Sequence, residues 1–320
     1  MNSMIIVWTA LIFFIVGLLM FDLFVLHKNN NISNKKTARE TAFWIIIALS
    51  QSLLIYLLFK NEWVDNPTGL TPKDAVMKYI TGYLVELSLS VDNLFVIAMI
   101  FNSYKIPIQY QHKALFWGIL GAIVFRGIMI AVGVVLFNQL SWIPYVFGGF
   151  LILTAFKMLY DELKDTHDDN VRETLGARLM RRYFNFSQNL DEDKFFTIQN
   201  GKKLATPLFA ALILIEITDL MFAVDSIPAI LAITQDALIV FCATIFATLG
   251  LRSMYFFLAN MLEKFKYLKY SVFAILLYIG IKLILMHHYE IPEWLSLSVI
   301  IFSLTVGVIV SLAKQKNEMA

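Results

Sequence analysis

Nine apolar runs, each about as long as a membrane-spanning helix, divide this chain of 320 residues. A helix needs about 20 consecutive apolar residues to cross the hydrocarbon core of a bilayer. Charged residues make up 16% of the chain, against roughly 25% in ordinary soluble domains. The pattern predicts an all-α polytopic membrane protein with spans at 4–26, 42–60, 79–101, 114–137, 142–160, 205–233, 239–259, 269–289 and 294–313.

Net charge and cysteine content exclude several kinds of function. A formal net charge of +2 gives no basis for binding nucleic acid. Cys242 is the single cysteine, so one chain can form neither an internal disulfide nor a thiolate metal cluster. We therefore expect the lipid bilayer to be the main surrounding of this chain.

The basic residues of the short loops predict its orientation, because Lys and Arg concentrate on the cytoplasmic side of a membrane. With the amino terminus outside, the inner loops and the tail hold Lys28, Lys35, Lys36, Arg39, Lys105, Lys113, Lys264, Lys266, Lys269, Lys314 and Lys316. The outer loops then hold only Lys60, Lys73 and Lys78. This bias predicts an outer amino terminus and a cytoplasmic carboxyl terminus.

The run at 205–233 carries three carboxylates, at Glu216, Asp219 and Asp225. An ionised side chain at the centre of a bilayer costs roughly 2.5 kcal/mol or more, and such residues face the protein interior or a water-filled cavity. Three of them within ten residues indicate a binding function.

A second version of this acidic stretch lies in the run at 79–101. Aligned without a gap, the matched pairs are Glu86 with Asp219, Asp92 with Asp225, and Asn93 with Ser226. Six residues turn an ideal helix by about 600°, so Glu86 and Asp92, which lie six residues apart on one helix, point about 120° apart. Each helix therefore presents two polar stripes.

The likeness of the two halves extends beyond the acids. Two further pairs of segments match: Gly121–Arg126 with Leu249–Arg252, and Ala155–Lys157 with Gly280–Lys282. Spans three to five thus repeat as spans six to eight, and because three is odd, the second unit enters from the opposite face. We predict an inverted repeat, which in transporters holds the substrate near the midplane at the interface of the repeats.

These patterns divide the chain into six parts. They are two amino-terminal helices (1–60), an outer loop (61–78), repeat one (79–160), a cytoplasmic linker (161–204), repeat two (205–289), and a last helix with its tail (290–320). Within the linker, 171–183 has a pattern that fits a basic amphipathic helix on the membrane surface and, equally well, a solvated loop helix. The pair Asn200-Gly201 lies between short apolar runs and predicts a β-hairpin.

Pro228 predicts a break in the acidic helix of repeat two. Its ring lacks the amide hydrogen that would bond the carbonyl of Val224, and broken helices often form the ion sites of transporters built from inverted repeats. Phe95 occupies the matching position of repeat one, so the break would be asymmetric.

The charge balance within the spans favours cation binding over pure scaffolding. Three cations, Arg126, Arg252 and Lys282, also lie well inside spans and are the expected structural charge partners of the acids. Five acids against three bases leave about two negative charges, which one divalent cation or two protons would cancel. Oxygen ligands without His or Cys suit Mn, Mg or Ca.

Several of these segments resemble the TerC family of membrane proteins, and its Alx branch in particular. The likeness rests on 86–93 (ELSLSVDN), 222–230 (FAVDSIPAI), 249–252 (LGLR) and 279–282 (IGIK), and covers nearly the whole chain. The resemblance implies a bacterial inner-membrane protein of manganese homeostasis, acting in efflux, with an association with tellurium resistance. Tellurite is an oxyanion that intramembrane carboxylates would repel, so we expect a divalent cation as cargo and no permanent cofactor.

Three hypotheses follow. The first is a manganese exporter in which Asp92 and Asp225 are the central ligands, while the other three acids, with Asn93 and Ser226, are further ligands or proton carriers. The second is an intramembrane aspartyl protease, which needs only two of the five acids, so we do not expect an enzyme. The third is a metal-binding sensor or accessory subunit, whose linker docks another membrane protein or whose chain forms a homo-oligomer.

Overall fold

The computed structural model describes residues 2–22, 34–67, 69–163, 186–187, 190–199, 202–258, 268–286, 289 and 291–318. Nine α-helices lie within these ranges. They are α1 (Asn2–Phe21), α2 (Asn34–Lys60), α3 (Pro72–Ser103), α4 (Ile108–Gln139), α5 (Ile143–Leu163), α6 (Pro207–Leu231), α7 (Ala237–Leu258), α8 (Leu268–Leu285) and α9 (Glu293–Glu318).

The helices confirm the predicted class, an all-α polytopic membrane protein. Among the residues described, seven helices are long and apolar enough to cross a bilayer: α1, α2, α4, α5, α6, α7 and α9. The predicted number of nine spans stays a prediction. Large apolar side chains such as Phe13, Leu153 and Phe302 are at least 70% exposed, as expected of surfaces that face lipid.

One helix lies at the centre of the bundle. Of the apolar stretch of α7, 89% is buried, whereas the other candidate spans are buried over a third of their length or less. Helices α2, α3 and α4 all pack against α7. Residues on α7 that face these neighbours are therefore shielded from lipid.

The first helices of the two predicted repeats begin in the same way. Thr71 precedes Pro72 at the start of α3, and Thr206 precedes Pro207 at the start of α6. Each threonine hydroxyl accepts a hydrogen bond from a backbone amide in the first turn. Proline has no amide hydrogen, and it fits the first helical position because an amide there would have no partner within the helix.

The packing of the helices follows the predicted pairing of the repeats. Helix α3 packs against α7, and α4 packs against α6. Exchanging repeat one (α3, α4, α5) with repeat two (α6, α7, α8) converts the first contact into the second. The third helices, α5 and α8, pack on each other. This pattern is what a two-fold relation requires, while the inverted repeat itself stays a prediction.

Helices α5 and α8 cross at two glycines. A Cβ atom on Gly148 would lie 2.8 Å from the carbonyl oxygen of Gly280, and one on Gly280 would lie 2.9 Å from the carbonyl oxygen of Gly148. Real Cβ atoms do not come this close to backbone, so only glycine permits this separation of the helices.

The predicted break at Pro228 is wrong. Helix α6 continues through Pro228 to Leu231, and the amides of Ala232 and Thr234 close its last turn on the carbonyls of Pro228 and Ile230. The proline stands three residues before the last residue of the helix, where it removes one hydrogen bond.

The predicted hairpin before α6 is present. Strands β1 (Phe196–Gln199) and β2 (Lys202–Ala205) pair antiparallel, with Gln199 opposite Lys202. The amide of Thr206 donates to the carbonyl of Phe195, which joins the hairpin to the start of α6. The predicted amphipathic helix at 171–183 lies outside the described residues, and the six-part division of the chain stays a prediction.

Candidate cation site

Arg126, on α4, joins one acid from each predicted repeat. Its guanidinium is fully buried and binds Asp219 of α6 with two hydrogen bonds, Nε to Oδ2 at 3.1 Å and Nη2 to Oδ1 at 2.8 Å. The Nη1 atom donates to Oε1 of Glu86 on α3. Glu86 and Asp219 are one of the two pairs of acids that the repeat alignment matches, so this triad links equivalent positions of the two halves.

The triad leaves negative charge uncompensated. Glu86 is 1% exposed, and its second oxygen, Oε2, is buried without a hydrogen-bond partner among the described residues. One guanidinium is shared by two carboxylates, which carry one negative charge more than it neutralises when both are ionised. A buried acceptor without a partner costs about 1–3 kcal/mol, and more when charged.

Glu216 lies one helical turn before Asp219, and its side chain packs against α4. Its carboxylate is packed directly on Gly121, where any Cβ atom would overlap it. The Oε2 atom of Glu216 is buried and accepts no hydrogen bond from the part of the chain that the structure describes. Gly121 thus makes room for a carboxylate, a role that the sequence did not reveal because Gly121 was noticed only as part of a repeated segment.

A small cavity lies between the two halves beside the triad. It has a volume of about 30 Å³, and its walls come from α3, α4, α6 and α7. The polar residues on its wall are Asn93, Thr218, Asp219, Thr248 and Arg252. The amide oxygen of Asn93 is buried, with no hydrogen-bond partner in the described ranges. The cavity therefore brings together Asn93 and Asp219, one predicted site residue from each repeat.

Asp225 and Ser226 lie apart from this cavity. Asp225 is half-buried and accepts a hydrogen bond of 3.4 Å from the hydroxyl of Thr154 on α5, a residue that carries no sequence motif. Ser226 is buried, and its hydroxyl oxygen has no hydrogen-bond partner among the residues described. The side chain of Asp92 lies outside the described part of the structure, so a central site of Asp92 and Asp225 stays a prediction.

Two of the three expected charge partners bind other acids. Arg252 pairs with Asp22 at the end of α1, with Nη2 2.5 Å from Oδ2. Lys282 pairs with Glu293 at the start of α9, with Nζ 3.3 Å from Oε2. These two bases lie beside helices outside the repeats and pair with acids there, so the neutralisation of three site acids by these three bases stays a prediction.

This pairing makes the site more acidic than the sequence indicated. Of the four site acids whose side chains are described, Arg126 contacts only Glu86 and Asp219. Lys157 is near enough for its charge to act on Asp225. Within the described residues, no three His, Cys, Asp or Glu side chains lie close enough together to hold a metal ion. The carboxylates are thus spread along the interface rather than gathered into one cage.

Comparison with known proteins places the chain among membrane proteins of one family. The pattern described as "Integral membrane protein TerC family" matches residues 71–319. An uncharacterized membrane protein of Myxococcus xanthus is 43% identical over 97% of this chain and 93% of its own length. A second relative, from Escherichia coli K12, is named as a candidate membrane-bound redox modulator, Alx, and is 38% identical over 93% of this chain and 92% of its own length. No solved structure matches.

Proposed function

This chain belongs to the integral membrane protein TerC family, and we propose that it exports a divalent metal cation, manganese, across the cytoplasmic membrane through the acidic interface of its two halves. The observation that carries the proposal is the excess of buried carboxylate over base. Arg126 is shared by Glu86 and Asp219, and Glu216 lies beside them with a buried oxygen that has no partner. Uncompensated acids at membrane depth are typical of ion and proton pathways.

The chemistry of the side chains supports a hard cation. The groups at the interface offer carboxylate, amide and hydroxyl oxygens, which suit Mn²⁺, Mg²⁺ and Ca²⁺ rather than copper or zinc. The one soft ligand, Cys242, is packed in an apolar cluster of the core. Among the hard cations, manganese is proposed because of the family resemblance in the acidic segments.

The name of the E. coli relative raises a redox role. The chain has one cysteine, which is 4% exposed, so thiol–disulfide exchange within one chain is not available to it. We propose instead that this chain affects redox balance by exporting a redox-active metal ion.

Arg126 has a defined part in the proposed transport. Its guanidinium binds the carboxylates of Glu86 and Asp219, and in the proposed transport a cation competes with it for the same oxygens. Carboxylates exchange metal for protons as local pH changes, so protons are the proposed counter-ion. The proposed orientation has the amino terminus outside and the carboxyl terminus in the cytoplasm. In the proposed mechanism the bound ion is exposed alternately to the two sides of the membrane.

The test is flux of Mn²⁺ into liposomes that contain the purified protein. We expect Asp219→Asn and Asp225→Asn each to reduce flux at least tenfold, whereas Asp65→Asn, which changes an exposed acid of a loop, leaves flux unchanged. Equal flux in all three variants would remove the acidic interface from the proposal.

Two further measurements separate the alternatives. Binding of Mn²⁺ by calorimetry without any flux would favour a metal sensor or accessory subunit, acting with a membrane partner or a second copy of the chain. Flux of tellurite anions in the same liposomes would contradict the electrostatic argument, since the interface repels anions.

A further inference from the structure

The hairpin that precedes α6 has a face without a part in the function proposed above. Residues that pair directly across an antiparallel ladder project on the same side of it, and alternate residues of one strand share a side. Ile198 pairs with Lys203, and Phe196 lies two residues before Ile198. These three side chains therefore form one face of the hairpin, the exposed face. Ile198 is 77% exposed and Phe196 is 37% exposed, and Lys203 is exposed as well.

The other face of the hairpin packs on the protein. Thr197 is buried, and the side-chain amide of Gln199 donates to the hydroxyl of the buried Ser187 at 3.0 Å. The backbone amide of Ser187 donates to the carbonyl of Ala205 at 2.8 Å. These contacts fix the orientation of the hairpin, so its exposed face is directed away from them.

The exposed face lies beside the point where α6 enters the bilayer. The ring of Phe196 packs on the ring of Phe209, with the centroids 4.7 Å apart. Phe209 is the third residue of α6, whose apolar stretch begins at Pro207. The hydroxyl of Thr206 donates to the carbonyl of Lys194 at 2.7 Å, which ties the hairpin to the start of the helix. The exposed face is thus held at the boundary of the hydrocarbon core.

Ile198 is close enough to Phe196 to reach the same lipid layer. A strand rises about 3.3 Å per residue, so the two residues lie about 7 Å apart. A bilayer of about 40–45 Å around a core of about 30 Å has a polar layer of about 5–7 Å on each side. Even a hairpin that stands upright on the bilayer therefore keeps Ile198 within about one headgroup layer of the boundary.

Lysines give the hairpin a positive charge. Lys202 and Lys203 are exposed, and Nζ of Lys203 lies 4.6 Å from the ring centroid of Phe196. Strands β1 and β2 contain no acid. Aromatic side chains and lysines are typical of the interface between bilayer and water, where basic residues are attracted to anionic lipids.

The acids just before the hairpin leave this positive charge in place. Asp191 pairs with Lys194 at 3.2 Å, and Asp193 pairs with Lys113 of α4 at 3.0 Å. Glu192 is exposed in the turn between these two acids. The two lysines of β2 outnumber it, so the segment keeps a positive charge for an anionic partner.

We propose that the exposed face is a membrane-contact surface for anionic phospholipid, with Phe196 and Ile198 inserted into the headgroup layer and Lys203 bound to lipid phosphate. Lipid is favoured over a protein partner because α6 already brings this face to the leaflet. The surface does not depend on the export of manganese. Because the hairpin is bonded to the start of α6, the contact holds the helix that carries Glu216 and Asp219 at a fixed depth in the bilayer.

Spin labelling of the full chain in vesicles tests this contact. Ile198→Cys carries the label, Cys242→Ala removes the buried natural cysteine, and Glu192→Cys provides an exposed reference position. Collisions of the label with oxygen, which concentrates in lipid, are compared with collisions with a neutral, water-soluble nickel chelate. In vesicles of equal parts phosphatidylglycerol and phosphatidylcholine, we expect oxygen collisions to dominate at position 198 and nickel collisions at position 192.

Removing one lysine should weaken the contact. Lys203→Gln should lower the ratio of inserted to water-exposed label at position 198 about fivefold, which is the effect of one lysine near an anionic membrane. Vesicles of phosphatidylcholine alone should give a loss of at least that size. Lys105→Gln, which removes an exposed lysine from the loop between α3 and α4, should leave the ratio unchanged.

Three results would overturn the assignment. An excess of nickel collisions at position 198 in the anionic vesicles would place the face in water. Few collisions with either reagent would show that protein covers the face, as a second copy of the chain would. Equal insertion with and without phosphatidylglycerol would exclude anionic phospholipid as the ligand.

Discussion

Replacing Arg126 by methionine should destabilise the protein strongly. The change keeps much of the side-chain volume, but it removes three hydrogen bonds and the positive charge that holds two buried carboxylates. Removing one partner of a buried ion pair costs about 3–5 kcal/mol. Two acids lose their partner here, so we expect a loss near the upper end of that range in the free energy of unfolding.

The assay is titration with SDS in mixed micelles, which reports the unfolding of membrane helices. Arg126→Lys is the matched control, because lysine keeps the charge but cannot bind Asp219 with two parallel hydrogen bonds, and it should lie between the wild type and Arg126→Met. Adding Glu86→Gln and Asp219→Asn to Arg126→Met removes the stranded charges and should recover at least half of the lost stability.

Two outcomes would refute this reasoning. If Arg126→Met unfolds at the same SDS concentration as the wild type, the buried charge triad does not contribute to stability. If the triple variant is no more stable than Arg126→Met, the loss comes from packing of the arginine side chain rather than from unpaired carboxylates.

Three further predictions follow from close packing and from metal binding. Gly280→Ala should lower the melting temperature by several degrees, because the new methyl group meets the backbone of Gly148, while Gly149→Ala, where nothing lies within 4 Å, should not; equal melting of the two would contradict the crossing. Gly121→Ala should displace the Glu216 carboxylate and reduce Mn²⁺ flux at least fivefold with little loss of stability. Undiminished flux would contradict a role in transport for the contact between Gly121 and Glu216. Mn²⁺ at about 100 times its Kd should stabilise the detergent-solubilised protein by about 2.7 kcal/mol, an effect that a chelator reverses; an unchanged melting curve would argue against a bound cation.

Local patterns in the sequence were sufficient for much of the fold. Runs of about 20 apolar residues predicted the helices that the structure contains, because a bilayer imposes that length on any helix that spans it. Asn200-Gly201 predicted the hairpin, since this pair favours the tight turn between two strands. The match of Glu86 with Asp219 depended on spacing alone, and the structure joins these two acids through one arginine.

Partners across the bundle could not be predicted in the same way. Arg126 and Arg252 occupy matching positions in the repeats, yet Arg126 binds two site acids and Arg252 binds Asp22. The choice depends on which helix lies beside each arginine, and α1 stands outside the repeat pattern. Thr154, which donates to Asp225 from α5, was missed because a lone threonine in an apolar helix has no distinguishing signal.

By itself, then, the sequence determined the helical membrane class, the two matching acidic segments and the oxygen chemistry of the site, because hydropathy and spacing act along the chain. Only the tertiary structure decided that α6 runs unbroken through Pro228, that the carboxylate of Glu216 packs on Gly121, and that one arginine binds two acids. Those features depend on contacts between residues far apart in the chain, and the distance between two helices is a property of their packing that neither helix encodes alone.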